Sequence, residues 1–161
     1  MRGLSLWQPW ATLVACGAKQ IETRSWPTPY RGLVAIHAAL AFPPEAARAC
    51  GNEDIAVALE NAGIRCVSQL PRGVILATAR LANCWQFGEA THWHVGYPEC
   101  EFGDFTDGRW GFVLEEVRAL PEPIPCRGAL GLWRVPAGVL AQLGALPEPE
   151  EEPSLALELE L

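Results

Sequence analysis

Lys19 is the single lysine of this 161-residue chain; the other eleven of its twelve basic side chains are arginine. It stands in Gly17-Ala18-Lys19-Gln20-Ile21-Glu22-Thr23-Arg24. A compact ammonium can donate from one point, lose its proton when desolvated, and attack or activate a substrate, which a guanidinium does not readily do. On an extended strand Glu22 and Arg24 project to one face, and Ile21 and Thr23 to the other. Lys19 then stands at the strand's mouth, just past a glycine turn. A carboxylate between two cations stays ionised and holds both in register. Desolvation offsets most of the Coulombic gain, so such a triad serves orientation more than stability. The bland alternative is a surface ion-pair strip; the isolation of the lysine favours a site. A carboxylate so placed can act as a general base toward water, with Lys19 holding an oxyanion.

Cys84, His92, His94 and Cys100 have the donor types of a zinc tetrahedron. Their sulfurs are not paired as Cys-x-x-Cys, and Trp93 separates the histidines, so the chain is read as holding no metal, with this set the one alternative. There is no Walker loop, Rossmann glycine fingerprint, Gly-x-Ser-x-Gly elbow or His-Glu-x-x-His helix, and no cofactor is expected.

Short elements must position these groups. Pro9–Cys16 reads as a helix, with proline in its first turn and Gly17 as a left-handed stop. Gln20–Trp26 alternates and reads as a strand. A turn at residues 27–32 leads into a buried strand, Leu33–Ala38. Pro43–Cys50 and Glu53–Ala62 read as helices, the second capped by Asn52. A turn at Leu70–Gly73 leads into a strand, Val74–Leu81. Residues 84–109 read as a long aromatic loop of the kind that often carries function. Trp110–Leu120 reads as a long strand that Pro121–Pro125 breaks; Leu130–Val135 resumes as another, and Pro136–Leu143 as a last helix. Strands joined by short turns, with helices inserted early and late, predict an α+β fold built on a small curled sheet or barrel.

The net charge of −7 is unevenly spread. Residues 147–161 hold six glutamates and no base, which leaves thirteen acids against twelve bases in the rest. The first 48 residues carry Arg2, Lys19, Arg24, Arg31 and Arg48 against Glu22 and Glu45. A small basic face on a neutral body suits a few phosphates, not a long duplex. The apolar runs are too short to cross a bilayer. No secretion signal is apparent, and the expected location is cytoplasmic. The six cysteines are expected to be reduced and mostly buried thiols.

Several stretches together resemble the ASCH domain family. They are Leu4-Ser5-Leu6-Trp7-Gln8-Pro9-Trp10-Ala11, the Gly17-x-Lys19-x-x-Glu22-x-Arg24 signature and Ser25-Trp26-Pro27-Thr28. Further blocks are Tyr30-Arg31-Gly32 through Ile36-His37-Ala38, Phe102-Gly103-Asp104-Phe105 through Gly108-Arg109-Trp110, and Pro123-Ile124-Pro125-Cys126-Arg127-Gly128 through Gly131-Leu132-Trp133. The resemblance spans roughly residues 2–136. It implies a PUA-like small β-barrel with flanking short helices, a cleft lined by the Lys/Glu/Arg signature, and an association with RNA and modified nucleosides. Some members are enzymes, among them an amidohydrolase that deacetylates N4-acetylcytidine and a ribonuclease. In the amidohydrolases a threonine nucleophile stands three residues after the lysine; this chain has Glu22 there.

Within that frame the ligand-binding set is Lys19, Glu22, Arg24, Trp7, Trp26, Arg31, His37, Arg109 and Arg127. Lys19, Arg24 and the arginines beside glycines take phosphate or a base carbonyl. Glu22 orients them or accepts from a base amine, Trp7 or Trp26 stacks a base, and His37 lines the cleft edge. The first reading is a domain, residues 1–146, that binds RNA or a nucleotide or nucleoside. The second is a hydrolase of an acylated nucleoside, or a ribonuclease, with Lys19 and Glu22 catalytic. The third is a protein-interaction domain that works through the acidic tail, residues 147–161. There Leu155, Leu157, Leu159 and Leu161 alternate as in a strand with one apolar face, which predicts pairing with a sheet edge of its own chain or, in a homodimer, of its neighbour. Cutting the chain after Leu146 is therefore expected to lower its melting temperature or change its elution volume in size exclusion; no change in either refutes the pairing.

Overall fold

The computed structural model describes residues 1–91 and 95–144. Its sheet is organised around β3, Gly32–Ala38, where Val34, Ile36 and Ala38 are buried in one cluster and Ala35 in another. A strand apolar on both faces belongs in the interior of a sheet. β3 pairs in parallel with β1, Arg2–Leu6, and antiparallel with β4, Val74–Gln86. β4 pairs with β5, Trp110–Pro125, whose first residues pair with β2, Ile21–Arg24. On the far side β6, Leu132–Arg134, pairs antiparallel with β1. The order β2-β5-β4-β3-β1-β6 gives one curled six-stranded sheet, a half barrel with four short helices, as the α+β expectation requires.

The helices seal the sheet. α1, Trp10–Ala15, puts Ala11 and Val14 against the sheet and Leu13 against α3, Glu53–Asn61. It stops at Gly17, whose φ of 81° is the left-handed turn that glycine adopts at no steric cost. α2 is Pro44–Ala49. Asn52 caps α3, its Oδ1 accepting from the backbone N–H groups of Asp54 and Ile55 at 2.9 and 3.1 Å. α4, Ala137–Gly144, lays Val139 and Leu143 on the face formed by Ala35, Ile75 and Trp133. Among the described residues no helix is long and apolar enough to cross a membrane.

Three expectations need correction. Pro121–Pro125 does not break the strand: β5 runs through it to Pro125, with Ile124 opposite Ile75. The prolines survive because β2 pairs only with the first residues of β5, so the later ones need no donor on that side. The irregular stretch expected from residue 84 starts later, since β4 continues to Gln86. The cysteines are not mostly buried: Cys16, Cys66 and Cys100 are exposed, and the other three are half-buried. They sit at helix ends, turns and strand margins, where neighbouring chain does not close over them. The tail, residues 147–161, lies outside the described residues, as do His92 and His94. Among the described residues no group of His, Cys, Asp or Glu is placed to hold a metal ion.

Candidate functional site

The strand parity of Ile21–Arg24 carries directly into side-chain geometry. Glu22 Oε1 lies 3.2 Å from Arg24 Nε, and Glu22 Oε2 lies 3.8 Å from Lys19 Nζ. Thr23, on the opposite parity, is buried. The structure thus brings Lys19, Glu22 and Arg24 together at one wall of a cavity of about 1500 Å3. Arg24 Nη2 also donates to the Ser5 carbonyl at 2.6 Å, tying the start of the chain to β2.

Lys19 does not stand at an open mouth. Its side chain is 1% exposed and donates to the carbonyls of Ile21 at 2.5 Å and Phe102 at 2.9 Å. The ammonium also lies 5.5 Å from the centre of the Phe105 ring. Gly103 permits this approach, because a Cβ there would sit 3.0 Å from Nζ. Burial pushes the Lys19 ammonium below the usual lysine range, and the carboxylates of Glu22 and Glu99 oppose that shift. Glu99 adds a second tie between the same loop and strand: its two carboxylate oxygens accept from the N–H groups of Gln20 and Ile21 at 2.9 and 3.0 Å.

His37 forms part of a buried polar chain at the back of the cavity. Trp133 Nε1 donates to Ser5 Oγ at 3.1 Å, Ser5 Oγ lies 3.0 Å from His37 Nδ1, and His37 Nε2 lies 2.8 Å from the Cys126 carbonyl. A carbonyl only accepts, so Nε2 carries the proton and the Ser5 hydroxyl donates to Nδ1. All three donors are then used, and the imidazole is neutral. Burial lowers the His37 pKa, and the bond to the Cys126 carbonyl partly opposes this.

The remaining residues nominated from sequence divide. Trp7, 41% exposed, and the half-buried Trp26 line the cavity. Arg109 lines it too, with Nη2 donating to the Thr23 carbonyl at 3.2 Å and Nε 3.4 Å from Asp104 Oδ2. Arg127 stands exposed at the rim. Arg31 is not brought to the cavity; it folds back on the carbonyls of Thr28 and Tyr30 at 3.0 and 2.9 Å. The sequence reading missed Arg72, which is exposed and lines the cavity. Its signal was there to find: Arg72 precedes Gly73 as Arg127 precedes Gly128.

The ASCH domain family model matches residues 4–125. Activating signal cointegrator 1 of Homo sapiens and that of Mus musculus are each 27% identical over 135 residues, covering 82% of this chain and 22% of the relative. The chain therefore spans about a fifth of the length of these relatives. Among solved structures, the crystal structure of ASCH from Zymomonas mobilis matches with a TM-score of 0.55 at 17% identity, covering 90% of this chain and 94% of that one. A mutant form of the same protein matches at 0.53 and 16%, covering 89% and 93%. These likenesses support the PUA-like small barrel as the fold.

Two predictions follow from the buried groups. Lys19→Ala leaves two buried carbonyls without a donor and takes one cation from Glu22, so it should cost about 3 kcal/mol in chemical denaturation. Lys19→Arg should not restore stability, because Gly103 and Phe105 leave no room for the larger head; wild-type stability in either variant refutes the clamp. For His37, a lowered folded pKa means that the unfolded chain binds the proton more readily. Stability should therefore rise with pH from the folded pKa up to the ordinary value of 6.5, and fall as pH drops through that window. Nitrogen-detected NMR should show the Nε2–H tautomer and a titration midpoint below 6.5.

Proposed function

Because the chain belongs to the ASCH domain family, we propose that its cavity binds a nucleotide or a short single-stranded segment of RNA. The observation that carries this reading is the meeting, in one concavity, of an exposed indole with two arginines that make no ion pair with a described residue. Trp7 presents 41% of its surface at the cavity, and Trp10 and Trp26 line it beside Trp7. Arg72 and Arg127 make no ion pair with any described residue. Arg72 lies over the Phe42 ring and donates to the Leu40 carbonyl at 3.4 Å, which leaves its charge without a carboxylate. Indole faces stack bases with little dependence on sequence, and guanidinium groups take phosphate oxygens. The carboxylate of Glu22 supplies an acceptor for base or ribose donors at the same wall.

Binding is favoured over hydrolysis by the state of the two groups a hydrolase would need. The Lys19 ammonium is committed to two backbone carbonyls and is almost wholly enclosed. Thr23 is buried on the parity opposite Glu22, so no hydroxyl of the signature stands beside the ammonium as a nucleophile. Hydrolysis of an acylated nucleoside or of RNA would then rest on Glu22 alone as a general base.

Titration of the chain with a short single-stranded RNA, followed by tryptophan fluorescence, tests the proposal. Trp7→Ala should weaken binding roughly tenfold, as removal of one base stack worth ~1–3 kcal/mol requires. Arg127→Ala should weaken it and reduce the slope of log K against log salt by about 0.7 for each phosphate no longer neutralised. Wild-type affinity in both variants refutes this cavity as the binding site, and product formation from RNA or N4-acetylcytidine that vanishes with Glu22→Gln refutes a pure binding role.

A further inference from the structure

We propose that Gly128 is a positioning residue for this site: it lets residues 126–131 lie flush on the Ser5–His37 pair and so fixes Arg127 at the rim, where its guanidinium takes a phosphate of the bound nucleic acid. The inference rests on the RNA-binding reading above and adds to it the residue that sets one of its cations in place.

Residues 126–131 join the end of β5 to the start of β6, and all of them line the cavity. Arg127, Ala129 and Leu130 are exposed, Leu130 at 98%. A strap with so much of its surface in solvent gains little from burial, so its course depends on its anchors. Anchors stand on both sides of Arg127. Before it, Cys126 donates its N–H to the Gly73 carbonyl at 3.1 Å and accepts at its own carbonyl from His37 Nε2 at 2.8 Å. After it, Gly128 lies directly against the imidazole and the Ser5 hydroxyl.

The closeness of that second contact shows at the missing side chain. A Cβ on Gly128 would stand 2.4 Å from His37 Cε1, 2.5 Å from His37 Nδ1 and 2.6 Å from Ser5 Oγ. Each is far inside a van der Waals contact of about 3.5 Å. The backbone of Gly128 is outside the left-handed region, so the position requires space and not a special φ. Any other residue there must push something aside. The imidazole does not yield cheaply. It is 2% exposed and bonded at both nitrogens, and the edge-on Trp133 ring stands 5.6 Å away between centroids. The strap, exposed on its outer side, is the part that moves. Lifting it at residue 128 leaves Arg127 anchored on one side only. A long side chain on a loosened backbone loses more freedom when it binds, and its phosphate contact weakens accordingly.

Titration of the full chain with a short single-stranded RNA, at several salt concentrations, tests this on Gly128→Ala, Arg127→Ala and the double variant. Circular dichroism checks the fold of each. Gly128→Ala should lower the slope of log K against log salt by about 0.7, as removal of Arg127 does, although it removes no charge. In its background Arg127→Ala should weaken binding by less than about a further twofold, since residues that act as one unit are not additive. A general loosening of the fold would leave both the slope and the effect of Arg127→Ala unchanged. A folded Gly128→Ala with the wild-type slope, or losses that multiply in the double variant, overturns the positioning role. Should Gly128→Ala not fold, His37→Phe decides. It keeps a ring but gives up the bond to Cys126, and it should lower the slope; a wild-type slope overturns the proposal. An unaltered slope in Arg127→Ala overturns it too, and leaves binding in the cavity to rest on Trp7. A wild-type chain that binds no RNA overturns both this inference and the reading beneath it.

Discussion

The structure turns on an ammonium taken out of water. Lys19 reaches from the entry of β2 to the carbonyl of Phe102, 83 residues away in sequence, while holding the carbonyl of Ile21 in its own strand. An isolated buried charge is costly. Here the charge is met by two carbonyl dipoles, by the Glu22 carboxylate at 3.8 Å and by the face of Phe105. The returns are geometric. The loop carrying Glu99 to Phe105 is laid against β2, Phe102 is pressed into the cluster with Leu13 and Ile55, and Glu22 is fixed in direction. The signature lysine thus shapes the wall that presents the carboxylate and has little surface of its own to offer a ligand.

A second polar chain does the same for the back wall. Trp133 on β6, Ser5 on β1 and His37 on β3 are linked in sequence to the carbonyl of Cys126, just beyond β5. These groups sit where the parallel pair β1/β3 ends near the cavity. Fully satisfied buried networks rigidify what they join. Both walls are therefore held by hydrogen bonds that reach across the sheet. The exposed parts of the cavity, Trp7, Arg72 and Arg127, are carried on this rigid frame.

Local signals in the sequence transmitted well where they were self-contained. Asn52 caps a helix and Gly17 ends one because each acts on a neighbouring turn. The apolar run of β3 and the parity of Glu22 and Arg24 needed no distant partner to be read. Long-range features were the harder ones. β1 contains only five residues, one of them Gly3, and is a strand because β3 and β6 flank it. The burial of Lys19 depends on Phe102 and Gly103, far along the chain, and a lysine in isolation reads as exposed. Arg31 and Arg72 each precede a glycine, yet of the two only Arg72 reaches the cavity, because its turn lies at the cavity end of β4.

The three prolines of β5 have a role that concerns other molecules. Beyond the residues paired with β2, one side of this sixteen-residue strand has no strand neighbour among those described. A long bare edge of that kind is a template on which further chains can polymerise. Pro121, Pro123 and Pro125 remove alternate amide hydrogens from that stretch, so an incoming strand finds acceptors without the donors needed to complete a ladder. The same residues that interrupt the sequence pattern of a strand thus guard the protein against assembling into fibres.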